Sequence, residues 1–157
     1  MKFGILTCSD TRAAGDAEDT AGKALIDLVE ERGWLVIAYH ICPDEDECIA
    51  GSLIEMADVD EVDVILTCGG TGFSPRDITP EATERVSDRR APGIAEYIRA
   101  ESLKITPRAS LSRGTAGLRG TTLIINMPGS EKAARESFGF IADQLEHAVE
   151  MMAGGGH

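Results

Sequence analysis

Three short apolar runs rich in branched side chains, Phe3-Gly4-Ile5-Leu6-Thr7, Leu35-Val36-Ile37-Ala38-Tyr39 and Val62-Asp63-Val64-Ile65-Leu66-Thr67, are each separated from the next by a segment of helical length. That recurrence marks βαβ units, because parallel strands cannot be joined without such crossovers. In the first crossover Ala21, Ala24, Leu25, Leu28 and Val29 repeat at helical spacing, with Asp19 or Thr20 as the cap and Gly33 after Arg32 as the stop. The second, from about 47 to 57, is less regular but carries Ile49, Leu53, Ile54 and Met56. Further helices are expected over about 80–87 and 94–105, with Pro107 as a stop. The stretch 110–120 alternates small and polar residues around Leu111 and Leu118, and is expected to form a hairpin or bent pair with a strand at 121–126. Ser130 is the candidate N-cap of a last helix whose apolar face holds Phe138, Ile141, Leu145, Ala148, Val149 and Met152. The expected fold is α/β, a three-layer α/β/α sandwich with a mostly parallel central sheet. One domain spans 1–153, and 154–157 is a flexible tail.

Composition removes several function classes. The chain has 157 residues, 43% of them hydrophobic, which suits one domain with a substantial core. No apolar run approaches the ~20 residues that cross a bilayer, and the N-terminal residues lack a signal-peptide pattern, so the expectation is a cytoplasmic protein without a membrane partner. With 27 acids against 15 bases the net charge is −12, which disfavours nucleic acid. The one adjacent basic pair, Arg89-Arg90, reads as a solvated helix end beside Glu84 and Asp88. Cys8, Cys42, Cys48 and Cys68 have no zinc-like spacing, and the histidines are His40, His147 and His157. The cysteines read as reduced thiols, mostly buried, and Trp34 as packing.

The chemistry concentrates at Thr67-Cys68-Gly69-Gly70-Thr71-Gly72, followed by Arg76-Asp77-Ile78-Thr79-Pro80. A strand runs into glycines that bring backbone N–H groups close to an anion. Asp77 then offers a hard oxygen to a magnesium ion, and Thr79-Pro80 reads as an N-cap followed by proline at the first helical position. The stretch is neither a Walker loop nor a Rossmann fingerprint. It reads as a nucleotide-phosphate site, and in so acidic a chain magnesium becomes nearly obligatory. Asp44, in Pro43-Asp44-Glu45, reads alone as a helix-start acid. Ligands of open parallel sheets bind beyond the carboxyl ends of the strands, where Ser9-Asp10, Asp44, Gly69–Gly72 and Pro128-Gly129-Ser130 all fall. If the loops meet there, Asp44 and Asp77 face one cavity as a metal-holding pair. Ser112-Arg113 and Ser130 suit a second phosphate or a polar heterocycle, or else simple caps and turns.

These motifs, with Leu111-Ser112-Arg113 and Leu123-Ile124-Ile125-Asn126-Met127-Pro128-Gly129, resemble the Mog/MoaB family of molybdenum cofactor biosynthesis, related to the G domain of gephyrin and its plant counterpart. The resemblance spans nearly the whole chain. It implies a molybdopterin adenylyltransferase that moves AMP from Mg-ATP to the terminal phosphate of molybdopterin and releases pyrophosphate. By position it implies Asp44 and Asp77 as catalytic, Mg2+-linked acids. Ser9, Gly69, Gly70, Thr71, Gly72, Pro128, Gly129 and Ser130 become nucleotide contacts, and Ser112 and Arg113 contacts for the pterin. It also implies a homotrimer or hexamer and a metal-insertion protein as partner. The alternative is a binding-only carrier of molybdopterin or nucleotide.

Overall fold

The computed structural model describes residues 1–155. Strands β1 (Lys2–Cys8), β2 (Leu35–Cys42) and β3 (Val64–Cys68) alternate with helices α1 (Asp10–Ala13), α2 (Thr20–Glu31) and α3 (Asp46–Ile54), the last continued by a π-helical turn at Glu55–Val59. Then follow α4 (Thr79–Val86), β4 (Arg89–Arg90), α5 (Pro92–Leu103), a 3-10 turn (Pro107–Leu111), β5 (Ala116–Arg119), β6 (Thr122–Met127) and α6 (Glu131–Met152). The six strands lie in the order β2-β1-β3-β6-β5-β4. β2, β1, β3 and β6 run parallel, while β5 and β4 are antiparallel additions. The three-layer architecture is as the sequence implies.

Side-chain alternation divides the core between the two faces of the sheet. Phe3, Ile5, Leu66, Leu123 and Ile125 pack on one face against α2, α5 and α6. Leu6, Ile65 and Ile124 pack on the other against α3 and α4. The chain steps outward from β1 to β2 by way of α2, then back past β1 to β3 by way of α3. A reversal of direction with right-handed crossovers places those two helices on opposite faces. The loops after β1 and β3 therefore diverge, opening a crevice at the switch point.

Local chemistry sets the boundaries. Asp19 caps α2 by accepting from the Gly22 N–H at 3.0 Å. Gly33, at φ +76°, closes the same helix by donating to Glu30 O, while Trp34 N–H reaches Val29 O. Trp34 stacks on Phe3 at 5.3 Å and meets Phe138 edge-on, which makes it packing, as expected. Gly120, at φ +55°, turns the β5–β6 hairpin.

Four expectations shift. β2 continues to Cys42, beyond the expected Tyr39, because past the bulge opposite Phe3/Gly4 its pairing with β1 persists to the end of that strand, where Cys8 faces Cys42. Arg89-Arg90 is a two-residue strand against β5 and not a helix end. The 80–87 helix begins at Thr79, with Ile78 at the cap position and no side-chain cap bond, so Thr79 is not the cap. At the C-terminus Gly154, at φ +85°, and Gly155 donate to Met151 O and Glu150 O and close α6. The rest of the expected tail, 156–157, lies outside the described residues. No helix among the described residues is long and apolar enough to cross a membrane.

Candidate functional site

The loops after β1, β2, β3 and β6 meet at the carboxyl edge of the sheet, and glycines let them approach. Gly69 sits at φ +96°, and a Cβ there would stand 2.3 Å from the Cys8 carbonyl oxygen. A Cβ on Gly129 would stand 3.2 Å from the Gly69 Cα, so the loops after β3 and β6 touch backbone to backbone. Gly70, at φ +67°, passes Thr79 and Asp44, where a Cβ would lie 2.2 Å from Thr79 Oγ1 and 3.2 Å from Asp44 Oδ1. Those two oxygens are buried and have no hydrogen-bond partner. Buried polar atoms are nearly always satisfied, so this pair marks a place built for something else to fill.

Asp44 lies at the start of the β2–α3 connection. Its Oδ2 accepts the Asp10 N–H at 3.0 Å, and its own N–H donates to Asp10 Oδ1 at 3.0 Å. Burial raises its carboxyl above the usual range, and the negative charges of Asp10 and Asp77 add to the shift. Asp77 is thus near enough for the two acids to repel. Its Oδ2 accepts the Ser74 N–H at 3.0 Å, closing the turn that follows the glycines. Asp10 shifts the other way, held below the usual carboxylate range chiefly by hydrogen bonds from Arg76.

The remaining expected residues divide. Ser9 caps α1 through Arg12 N–H at 3.3 Å and bonds Thr11 Oγ1 at 3.1 Å, which places it at the edge beside Asp10. Ser130 caps α6 by accepting from Ala133 N–H at 3.2 Å, so its hydroxyl is engaged while the helix N-terminus faces the loops. Ser112 and Pro128 line a cavity of about 330 Å³ between α5, the 3-10 turn and α6, with Thr71 and Gly72 forming the wall toward the glycine loop. Arg113 does not enter that cavity. Its guanidinium donates to Gly72 O at 2.8 Å, to Asp77 O and to the Glu81 carboxylate, and its N–H donates to Thr71 O at 2.8 Å. It is a strut under the loop that carries the glycine turn and Asp77.

Several contributors escaped the sequence reading. Arg99 lines the cavity and donates to Ser112 O and Gly114 O, both at 3.1 Å. Arg12 reaches Gly129 O with both terminal nitrogens at 3.3 Å and pairs at 3.8 Å with buried Asp19, which also accepts from Thr7 and Tyr39. Asn126 joins Thr67, Thr83 and Thr115 under the loops. These contacts span long sequence separations, and the available signal was only that polar residues end apolar strands. Cys68 lies 3.1 Å from Thr7 Oγ1, and burial pushes its thiol up to about 12, which keeps it a neutral packing group.

Among the described residues no three His, Cys, Asp or Glu side chains gather into a metal-holding cluster. What the edge offers instead is two carboxylates on neighbouring loops, Asp44 and Asp77, beside the glycine turn. Arranged so, the edge can hold a polyphosphate against one cation and an extended heterocycle in the adjoining cavity.

The geometry agrees with comparisons to known proteins. Residues 4–147 match the family model described as a probable molybdopterin binding domain. The chain is 42% identical over 156 residues to the molybdopterin adenylyltransferase of Helicobacter pylori, covering 98% of this chain and 89% of that protein. It is 46% identical over 153 residues to the molybdenum cofactor synthesis protein cinnamon of Drosophila melanogaster, covering 97% of this chain but 26% of that longer protein. The solved structure of the molybdopterin biosynthesis enzyme MoaB of Thermus thermophilus superposes with a TM-score of 0.92 at 46% identity, covering 99% of this chain and 98% of that one.

Proposed function

Because this chain belongs to the family of probable molybdopterin binding domains, we propose that it is a molybdopterin adenylyltransferase of molybdenum cofactor biosynthesis, the activity named for its Helicobacter pylori relative. The terminal phosphate of molybdopterin attacks the α-phosphorus of ATP. A P–O bond forms there as the bond to the β-phosphate bridge breaks, giving adenylyl-molybdopterin and pyrophosphate. Such a transfer rests on positioning and charge neutralisation and needs no covalent nucleophile or histidine base.

The observation that carries this reading is the unpartnered, buried Asp44 Oδ1 beside Gly70, with Asp77 on the same loop system. A desolvated carboxylate oxygen without a donor fits a hard cation. Two acids fit Mg2+, which takes one or two carboxylates and completes its shell with substrate phosphates and water. When bound, Mg2+ neutralises charge on the phosphates. Gly70, Thr71 and Gly72, with Gly129 and Ser130 at the α6 N-terminus, cradle the nucleotide phosphates through backbone amides, while Ser9, Gly69 and Pro128 shape the cradle, since the Ser9 and Gly69 N–H groups donate to Cys42 O and Met127 O and proline has none. Ser112 contacts the pterin in the adjoining cavity. Arg113 serves by holding the Gly72 and Asp77 carbonyls and not by touching the pterin.

Exposed Leu35, Ile37, Tyr39 and Ile41 along the edge strand β2, with Tyr97 and Met151 on α5 and α6, suit assembly into a homotrimer or hexamer. The site of action is the cytoplasm, where the adenylylated product passes to a metal-insertion protein of the same pathway.

Pyrophosphate release from Mg-ATP and fresh molybdopterin, compared for wild type, Asp44→Asn and Asp77→Asn, tests the proposal. Pterin-dependent release by wild type that falls by roughly 100-fold or more in both variants is the expected result. Wild type that binds the pterin and releases nothing is a carrier, and unchanged turnover in the variants removes the acids from the mechanism.

A further inference from the structure

Asp44 and Asp77 arrive on different loops, near enough for the charge of Asp77 to oppose ionisation of Asp44. Asp10, the first residue of α1 just after β1, touches both loops, bonding Asp44 on one and Arg76 on the other. Asp10 and Asp44 each accept the other's backbone N–H, at 3.0 Å in both directions. Arg76 then closes a fork on Asp10, Nε to Oδ2 and Nη2 to Oδ1, both at 2.8 Å. Arg76 immediately precedes Asp77, so one dipeptide carries an acid of the site and the clamp on the residue that holds the other. The chain of contacts Asp77-Arg76-Asp10-Asp44 thereby ties the loops after β1, β2 and β3 together.

We propose that Asp10 is a positioning residue for Asp44 and that Arg76 acts through Asp10, setting the separation of the two catalytic acids. The Arg76 and Asp10 side chains are 55% and 44% exposed, and exposed ion pairs contribute little to stability. A bidentate fork fixes orientation as well as distance, and groups that orient ligating carboxylates set metal affinity. The pair therefore serves the site more than the fold. Its kinetic consequences rest on the adenylyl-transfer reading, but its effect on metal binding does not.

The test is a mutant cycle with Asp10→Ala, Arg76→Ala and the double variant, each first checked for wild-type folding by circular dichroism. The probe is Mn2+ alone, titrated calorimetrically. Asp10→Ala is expected to weaken Mn2+ binding roughly 10- to 100-fold. Arg76→Ala should show part of that loss, and the double variant should bind no more weakly than Asp10→Ala, because the effects run through one residue. In pyrophosphate release, kcat should fall along the same series while KM for molybdopterin holds. Losses that multiply in the double variant would mean that Arg76 touches the ligand itself and would overturn the proposal. So would wild-type Mn2+ affinity in Asp10→Ala, or a wild-type protein that binds no Mn2+. A wild type that binds Mn2+ but releases no pyrophosphate defeats adenylyl transfer alone, and the Mn2+ cycle then decides the positioning role by itself.

Discussion

At the scale of single residues, Asp44 is placed against its own stability. Burial raises its carboxyl, and the charges of Asp10 and Asp77 oppose its ionisation. A carboxyl whose folded value lies above its unfolded one stabilises the fold while protonated and loses that contribution as pH rises through the shifted value. Asp44→Asn keeps an oxygen for the Asp10 N–H and removes the charge. At pH 7 without metal the variant is expected to be more stable than wild type by about 0.5–1 kcal/mol and so to melt higher, and the gap should narrow in acid. Thermal melts at both pH values measure it, and a variant that melts lower would mean that the carboxylate stabilises the free protein. The acid's presence was legible in the sequence, but its surroundings were not. Arg113 shows the reverse case. The motif pointed to it, yet its donors are taken by Gly72, Asp77 and Glu81, which lie far away in sequence.

At the scale of elements, two glycines separate function from economy. Gly139 lies on the exposed face of α6, where an added Cβ meets nothing within 4 Å. Gly139→Ala should stabilise the protein by about 0.5–1 kcal/mol through helix propensity alone. Gly70→Ala must adopt φ +67° and drive its Cβ into Thr79 Oγ1. It should cost about 1–3 kcal/mol and also abolish turnover by filling the gap between the unpartnered oxygens. Urea unfolding of both variants, with pyrophosphate release for the second, checks the pair. Elements with several turns of helical period, such as α2 and α6, were readable because amphipathic spacing is a local property. The two-residue β4 was not, since its existence depends on the partner strand β5.

At the scale of the whole molecule, fork-like or paired arginine contacts recur on the surface. Arg76, Arg119 and Arg113, by their hydrogen bonds, hold Asp10, Asp58 and Glu81 below the usual carboxylate range. For a depressed carboxyl the stabilisation is present above the unfolded value and is lost as pH falls through the folded one. The melting temperature is therefore expected to drop as pH falls below the ordinary values of 3.8 and 4.5. The acid-induced drop should shrink in about 1 M salt, which screens exposed pairs. An acid drop that is independent of salt would place its origin in buried groups instead. By itself the sequence determined the layered α/β class, most strand and helix positions, and the existence of the glycine turn followed by an acid, because periodicity, capping and turn chemistry act over a few neighbouring residues. Only the tertiary structure decided that Asp10 and Arg76 belong with Asp44, that Arg113 is a strut, and that a cavity opens beside Thr71 and Gly72. Those facts depend on which loops the strand order brings together, and strand order is settled by packing across the whole sheet and not by any local stretch of chain.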